Sequence, residues 1–255
     1  MKIGIIGIGN MGSAIVKGLL GKNELFLSNR GSNLEFFKDK EVSIMENRKV
    51  VENSDYIILA VKPNYYKEVI DEIKDLLENK VFISIAAGFT LEKLENLLGS
   101  DKKIVMTMPN TPASVGEGMS ILCPNSNVSD DEFLNVLEIF SSFGKAIKID
   151  ENQFDAASVV NGCLPAFVDL FIEGLSDGAV LCGLKRDISY KLIAQTIIGS
   201  AKLMEESGEH PGLLKDKVTS PKGTTIEGVK ALEENNFRAG LIKAVEASFN
   251  KAKNM

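Results

Sequence analysis

The chain has 255 residues, of which 44% are hydrophobic and 25% are charged, and its formal net charge at pH 7 is -6. This composition is typical of globular proteins and excludes disordered, collagen-like and coiled-coil chains. The acidic balance argues against non-specific nucleic-acid binding, which needs clustered Lys and Arg. No unbroken apolar run of about 20 residues occurs, so we predict no membrane-spanning segment.

The cysteines and the single histidine limit the possible chemistry. Cys123, Cys163 and Cys182 are widely spaced and form no C-x-x-C motif, which predicts reduced thiols in a cytoplasmic protein. His210 is the only histidine and precedes a proline. We therefore predict no metal site, and we expect His210 to be a solvated loop residue.

The first 150 residues alternate short apolar runs with helical patterns. The predicted strands are Ile3–Ile6, Leu25–Ser28, Tyr56–Val61, Val81–Ile85 and Ile104–Met108, with a further pair at Ser120–Leu122 and Ala146–Ile149. The predicted helices are Met11–Gly21, Leu34–Lys40, Tyr65–Leu77, Leu91–Leu98 with Thr90 as its N-cap, and one near Asp130–Phe143. Strands rich in Val, Ile and Leu suit a parallel sheet that is covered on both faces. Residues 1–150 are thus predicted to be a Rossmann-type, doubly wound α/β domain that binds a dinucleotide.

Strand signals stop after residue 150. Apolar residues then recur at helical spacing in four segments, which are Phe154–Leu181, Ile188–Met204, Ile226–Glu234 and Phe237–Lys251. Residues 151–255 are therefore predicted to form an all-helical domain. Small residues such as Gly174, Gly178 and Gly199 allow helices to approach closely, and such an apolar tail on a complete α/β domain indicates a homo-oligomer.

A G-x-G-x-x-G motif, Gly7-Ile8-Gly9-Asn10-Met11-Gly12, lies between the first predicted strand and the first helix. In this position Gly7 permits a tight turn, Gly9 lets the backbone approach a pyrophosphate, and Gly12 lets helix and strand pack closely. The helix N-terminus then attracts the anion. The motif predicts a dinucleotide cofactor; a glycine-rich turn without a ligand is the alternative.

The end of the second strand indicates which dinucleotide is used. An NAD enzyme usually has Asp or Glu there, whereas this chain has Asn29 and Arg30. Hydrogen-bond donors and a cation suit a 2′-phosphate, so NADP(H) is favoured. If Arg30 is only a solvated turn residue, NADH use is not excluded.

A hydroxyl- and glycine-rich turn, from Asp216 to Gly228, opens directly into a predicted helix. Free backbone N–H groups and the helix dipole would hold a small carboxylate there. An ordinary N-capped helix is the alternative interpretation.

Several segments of the chain resemble the pyrroline-5-carboxylate reductase family over essentially its whole length. They are Gly7–Gly12, Ala60–Pro63, Ser84–Gly88, Met108–Pro112, Val115–Gly118, Thr219–Ile226, Glu209–Pro211, Leu232-Glu233 and Ala244–Ala247. The resemblance implies that NADPH, with NADH as a possible substitute, transfers a hydride to the C=N carbon of Δ1-pyrroline-5-carboxylate and forms L-proline. It also implies a cytoplasmic homodimer that assembles into a larger homo-oligomer, a decamer in the family.

The resemblance also assigns site residues by position. The implied cofactor contacts are Ile6, Gly7, Ile8, Gly9, Asn10, Met11, Asn29, Asn47, Ala60, Val61, Lys62, Pro63, Ala86 and Ala87. The glycine motif adds Gly12 to this set, and the charge pattern after the second strand adds Arg30. Ser220, Gly223, Thr224 and Thr225 are implied to hold the substrate carboxylate. Thr225 matches the residue that would bond the ring nitrogen, and we interpret it as an orienting group or a relay to water.

The chain departs from the family pattern at two positions near the implied site. Leu164 replaces a glycine and could fill space near the nicotinamide, and Lys222 lies where the family usually has a glycine. If that glycine has a positive φ, lysine would strain the turn, although a cation there could also strengthen carboxylate binding. The charged pair Lys67-Glu68 is interpreted as part of a solvated helix face.

Two alternative functions stay open at this point. β-Hydroxyacid dehydrogenases share the opening motif but need a lysine on the long helix after the first domain, and no lysine occurs between Lys148 and Lys185. A regulatory member of the family that binds NADP(H) without turnover is the second alternative. Retention of Ser220, Gly223, Thr224 and Thr225 favours the enzyme.

Overall fold

The computed structural model describes residues 1–253, except for the side chains of Ser32 and Asn33. The strands are β1 (Lys2–Ile6), β2 (Glu24–Ser28), β3 (Val42–Ile44), β4 (Tyr56–Leu59), β5 (Val81–Ser84), β6 (Lys103–Pro109), β7 (Gly118–Pro124) and β8 (Gly144–Lys148). The helices are α1 (Asn10–Leu19), α2 (Asn47–Asn53), α3 (Tyr66–Ile73), α4 (Leu91–Leu98), α5 (Asp130–Ser141), α6 (Glu151–Leu181), α7 (Arg186–Ser207), α8 (Pro211–Lys217), α9 (Thr224–Glu234) and α10 (Phe237–Lys253). Short 3₁₀ helices occupy Ser32–Phe37, Pro63–Tyr65, Lys74–Leu76 and Thr111–Val115.

All eight strands form one sheet in the order β3-β2-β1-β4-β5-β6-β7-β8. This confirms the predicted Rossmann-type domain followed by a helical region. Neighbouring strands are parallel except β6 and β7, which pair antiparallel. The exception has a simple cause: only residues 110–117 connect these two strands, and a parallel crossover needs a dozen residues or more.

Several elements differ from the sequence expectations. The helix expected at Leu34–Lys40 is the 3₁₀ helix Ser32–Phe37, and β3 and α2 were not predicted. β3 has only three residues and lies at the sheet edge, so it carries no buried apolar run. α8 was also missed, because its seven residues are too short for a periodic pattern. His210 is its exposed N-cap, and its Nδ1 accepts a hydrogen bond from the Gly212 amide at 3.1 Å.

The core of the sheet region lies on both faces of the sheet, because successive side chains of a strand point to opposite sides. On one face Ile5, Ile58 and Ile83 pack with α1 and α5 residues such as Ile15 and Phe140. On the other face the alternate strand positions pack with residues of α2, α3 and α4. At α4 the predicted N-cap is confirmed: Thr90 Oγ1 accepts from the Lys93 amide at 3.1 Å.

The chain forms two compact units. The sheet unit consists of residues 1–165 with residues 251–253, and the helical unit consists of Ala166–Asn250. The boundary at residue 150 stays a prediction. Within Ala166–Asn250 only two of the described residues are buried, Ser176 and Ser189, and neither is apolar.

The long helix α6 is apolar along much of its length. An 18-residue window has a mean hydropathy of 1.4, so α6 is long and apolar enough to cross a membrane by length and composition alone. It contains no unbroken apolar run of about 20 residues, because charged residues interrupt the pattern. One such helix is weak evidence for a membrane span, because helices that pack through apolar faces pass the same test.

Candidate active site

The glycine-rich turn after β1 has the geometry of an anion cradle. Gly7 has a φ of +99°, which favours glycine, and a Cβ on Gly12 would lie 2.1 Å from the Gly7 carbonyl oxygen. A Cβ on Gly9 would meet no protein atom within 4 Å, so the space beside it is open. No side chain caps the N-terminus of α1, and its first turn carries no acidic residue. These features fit a dinucleotide pyrophosphate.

A cleft of about 330 Å³ opens beside this turn, at the carboxyl ends of β1, β2 and β4. It brings together nine of the residues assigned to the cofactor, namely Ile6, Gly7, Gly9, Asn29, Arg30, Asn47, Ala60, Val61 and Lys62. Three further residues line the cleft and were not predicted from the sequence, namely Ser28, Tyr65 and Val69. Parallel strands place their carboxyl ends at one edge of a sheet, which is why such distant residues meet.

Polar side chains along the cleft hold one another in place. The Ile8 amide donates to Asn29 Oδ1 at 3.1 Å, while the Ile8 side chain is buried in the core. Ser28 Oγ donates to Asn47 Oδ1 at 2.7 Å, and Asn47 Nδ2 donates to Glu72 Oε2 at 2.8 Å. Asn29 and Asn47 are therefore pre-oriented at the cleft.

The cation of the cleft has an acidic partner. Arg30 Nη2 lies 2.8 Å from Glu68 Oε1, and both side chains are more than half exposed. This hydrogen bond and the charge of Glu68 raise the pKa of Arg30 above its usual value. The interpretation of Glu68 as part of a solvated helix face is thus incomplete, because the exposed carboxylate is also paired with Arg30, which lines the cleft. Glu68 and Glu72 are one helical turn apart on α3, but this spacing does not indicate a contact with Arg30, which is 38 residues away in sequence from Glu68.

A buried tyrosine, Tyr66, holds the strand end that precedes the turn Ala60–Pro63. Tyr66 Oη donates to the Leu59 carbonyl at 2.7 Å and accepts from Ser84 Oγ at 3.1 Å. Its ring stacks on Phe89 at a centroid distance of 4.7 Å. Burial raises the pKa of Tyr66, so the hydroxyl stays a neutral donor that ties the ends of β4 and β5 together.

The remaining residues assigned to the cofactor lie elsewhere. Asn10 and Met11 line a second cleft of about 670 Å³, together with Lys17, Phe36 and Thr111. Gly12 is buried, as its packing role requires. Pro63 opens a 3₁₀ helix, and Ala86 and Ala87 follow β5 without lining either cleft.

The proposed substrate loop is a tight turn in the helical unit. The Gly223 amide donates to the Ser220 carbonyl at 3.0 Å, with Pro221 and Lys222 between them. Lys222 has a φ of +60°, so the turn has Pro at its second position and a left-handed residue at its third, as in a type II turn. Lysine is strained there, which is the strain expected if the glycine usual in the family has a positive φ. A larger residue than glycine is also unfavourable at position 223, because a Cβ added to Gly223 would lie 2.4 Å from Ser220 Oγ.

The turn leads directly into α9. Thr224 and Thr225 are its first two residues and are exposed. The N-cap residue Gly223 supplies no side-chain hydrogen bond, so the first N–H groups of α9 are free of a protein cap and can bind an anion. The four residues assigned to the substrate thus share one turn and one helix start.

The first part of α6 holds the loop after β6. Asn161 is buried and donates to the carbonyls of Met108 and Met119 at 2.6 and 2.9 Å. Its Oδ1 accepts from Asn110 Nδ2 at 3.1 Å, and Asn110 in turn accepts from the Met119 amide. Leu164, one turn later, is 47% exposed, so it is available to contact a ligand or another chain.

Known proteins resemble this chain over its full length. The family profile described as pyrroline-5-carboxylate reductase dimerisation matches residues 151–255, and the profile described as NADP oxidoreductase coenzyme F420-dependent matches residues 2–88. The pyrroline-5-carboxylate reductase of Escherichia coli is 41% identical, over 100% of this chain and 98% of that protein, and the one of Arabidopsis thaliana is 38% identical over 100% and 95%.

Solved structures agree with these sequence relatives. The pyrroline carboxylate reductase of Plasmodium falciparum, solved with NADP bound, is 39% identical with a TM-score of 0.89 and covers 100% of this chain and 97% of that one. The pyrroline-5-carboxylate reductase of Coxiella burnetii is 36% identical with a TM-score of 0.93, covering 99% and 97%. On fold, site and similarity together, this chain belongs to the pyrroline-5-carboxylate reductase family.

Proposed function

We propose that this protein reduces Δ1-pyrroline-5-carboxylate to L-proline with NADPH, and that NADH can replace NADPH. The observation that carries the proposal is the presence of two anion-binding sites. The first is the open glycine-rich turn at the start of α1, and the second is the turn Ser220–Gly223 before α9, whose N-terminus has no side-chain cap. The first suits a dinucleotide pyrophosphate, and the second suits a small carboxylate. Because the chain belongs to the pyrroline-5-carboxylate reductase family, we assign the dinucleotide and the carboxylate substrate to one reaction.

The cofactor residues act by binding and orientation. Gly7, Gly9 and the first N–H groups of α1 would hold the pyrophosphate, and Asn29, Arg30 and Asn47 would hold the adenosine ribose. NADPH, when bound, supplies the hydride that the reaction needs. The chain contributes position and electrostatics, which suffices where the cofactor performs the difficult step.

The residues assigned to the substrate lie at the second anion-binding site, the turn before α9. The free N–H groups at the start of α9, with Ser220 and Thr224, would bind the carboxylate, and the Thr225 hydroxyl would bond the ring nitrogen. Hydride addition to the C=N carbon moves the π electron pair to nitrogen, which ends as an amine. A cyclic imine is partly protonated near neutral pH, so Thr225 need only orient the nitrogen or relay a proton to it from water.

The assembly and cellular location belong to the same proposal. The family makes this chain a homo-oligomer, and we propose a homodimer that assembles further, with five dimers as the expected decamer. We also propose a helical substrate-binding and dimerisation domain beginning at residue 151 and a cytoplasmic location. Light scattering during size-exclusion chromatography measures the assembly, and a mass of one chain would contradict it.

Turnover tests the proposed reaction directly. We expect purified protein with DL-pyrroline-5-carboxylate to consume NADPH, seen as loss of absorbance, and to form proline in equal amount. NADPH binding without turnover would contradict the proposal and favour the regulatory alternative.

One hydroxyl tests the role of the turn. We expect Thr225→Ala to lower kcat by about tenfold or more, as expected for a hydrogen bond to a charged group, while NADPH affinity changes less. Thr196→Ala is the matched control, because the Thr196 hydroxyl donates to the Leu192 carbonyl of its own helix and has no other hydrogen bond among the described residues. Unchanged turnover in Thr225→Ala would remove Thr225 from the mechanism.

A further inference from the structure

Two carboxylates of helix α3 contact side chains that line the cofactor cleft. Glu68 and Glu72 are four residues apart, so they lie on the same face of the helix. Glu68 binds the Arg30 guanidinium at 2.8 Å, and Glu72 accepts from Asn47 Nδ2 at 2.8 Å. Arg30 and Asn47 both line the cleft. The same helix thus contacts two of the side chains assigned to the adenosine end of the cofactor.

The contact with Arg30 has a chemical consequence. A guanidinium binds a phosphate through the same N–H groups that it uses for a carboxylate. A 2′-phosphate that binds Arg30 must therefore displace the carboxylate of Glu68 or lie beside its negative charge. A 2′-hydroxyl meets no such penalty, since it can donate a hydrogen bond to a carboxylate, which is how acidic residues hold the ribose in NAD enzymes.

We propose that Glu68 is a specificity-determining residue that narrows the preference for NADPH over NADH, because its carboxylate competes with the 2′-phosphate for Arg30. The inference rests on the proposed function in one respect, the placement of Arg30 at the adenosine ribose. Arg30 then favours binding of the 2′-phosphate of NADPH, and Glu68 favours binding of the 2′-hydroxyl of NADH.

A neutral variant of Glu68 tests the proposal. We expect Glu68→Gln to increase NADPH affinity about two- to fivefold, the range given by an exposed ion pair, while NADH affinity stays the same or falls. Dissociation constants for both cofactors are measured on the full-length protein by nucleotide fluorescence. Because the expected signal is a change in the ratio of the two constants, a general loss of stability does not produce it.

The helix itself offers a matched control. Asp71 lies on α3 between the two glutamates and pairs with Lys67 and Lys74 at 2.6 and 2.8 Å. Asp71→Asn also removes one negative charge from α3, but it leaves the ion pair between Arg30 and Glu68 intact. We expect it to leave the NADPH/NADH ratio unchanged. Equal shifts in Glu68→Gln and Asp71→Asn would overturn the proposal, since net charge alone would then explain both.

A second variant shows whether Glu68 acts through Arg30. In an Arg30→Gln background, we expect Glu68→Gln to gain less NADPH affinity than it gains in the native chain. An undiminished gain would contradict competition for Arg30. Failure here is distinct from failure of the proposed function: the native protein would still bind NADPH and form proline, whereas absence of both would refute the proposed function itself.

Discussion

The sheet unit and the helical unit bury their side chains very differently. In the sheet unit, strand residues such as Ile5, Ile58 and Phe82 are fully buried on one face or the other. In the unit Ala166–Asn250 the two buried residues among those described are serines. Large apolar side chains stay open there, including Leu170 at 68% and Leu181 at 89% exposure. Since apolar burial is the main favourable contribution to folding, the first unit carries its own core and the second lacks one within a single chain.

The difference in burial agrees with the two family profiles that match the chain, one of an NADP oxidoreductase over residues 2–88 and one of a dimerisation domain over residues 151–255. The sheet unit needs only its own helices to cover the sheet, so it suits a cofactor-binding role on its own. Exposed apolar surface of the extent seen on α6, α7 and α10 marks an interface. The dimerisation profile covers these helices, so we expect a second copy of the chain to cover this exposed apolar surface.

The largest expected effect comes from a charge on the exposed face of α6. We expect Leu170→Glu to convert the oligomer to a smaller species and to abolish most activity, because a buried unpaired carboxylate at an interface is strongly unfavourable. Analytical ultracentrifugation measures the change. Leu134→Glu is the control, since Leu134 on α5 is 61% exposed in the sheet unit. Dissociation in both variants, or in neither, would contradict the comparison.

A smaller effect is expected from equal truncations in the two units. Ile58→Ala removes a fully buried side chain from β4, and we expect it to lower the free energy of unfolding by about 2–5 kcal/mol at every protein concentration. Leu192→Ala on α7, 56% exposed, should act instead through assembly, so its effect depends on concentration. Urea unfolding over a dilution series separates the two. A large, concentration-independent loss in Leu192→Ala would show that the helical unit has a core of its own.

The smallest effect concerns the strained turn before α9. Lys222→Gly relieves a left-handed φ and is expected to stabilise the protein by up to about 1 kcal/mol, after the flexibility of the unfolded chain is counted. Lys222→Ala keeps a non-glycine residue at the left-handed φ and removes the side chain beyond Cβ, including the ammonium group. Thermal unfolding and the KM for the substrate distinguish the two roles. If both variants raise KM equally, the cation assists carboxylate binding; if only Lys222→Gly changes stability and KM is constant, strain is the sole consequence.

Much of the cofactor site could be predicted from the sequence. Gly7, Gly9 and Gly12 stand at fixed spacing after a strand, and each has a steric role that the structure bears out. The ends of β2 and β4 were predicted for the same reason, since parallel strands end at one edge. Glu68 and Tyr66 were not identified, because nothing in the local pattern says that Glu68 faces Arg30 or that Tyr66 lies beneath the turn. Those contacts join segments 38 and 7 residues apart in sequence, from Arg30 to Glu68 and from Leu59 to Tyr66.

The class of fold, the cofactor loop and the family could be predicted from the sequence, because each depends on local periodicity, on glycine sterics or on motifs that are contiguous in the chain. Three features became visible only in the folded chain: the antiparallel direction of β7, the ion pair between Arg30 and Glu68, and the absence of an apolar core in the described residues of Ala166–Asn250. These features depend on which side chains meet across the fold and on how much surface remains uncovered. Apolar periodicity indicates that a helix has an apolar face, but only the folded chain shows that this face stays exposed within a single copy.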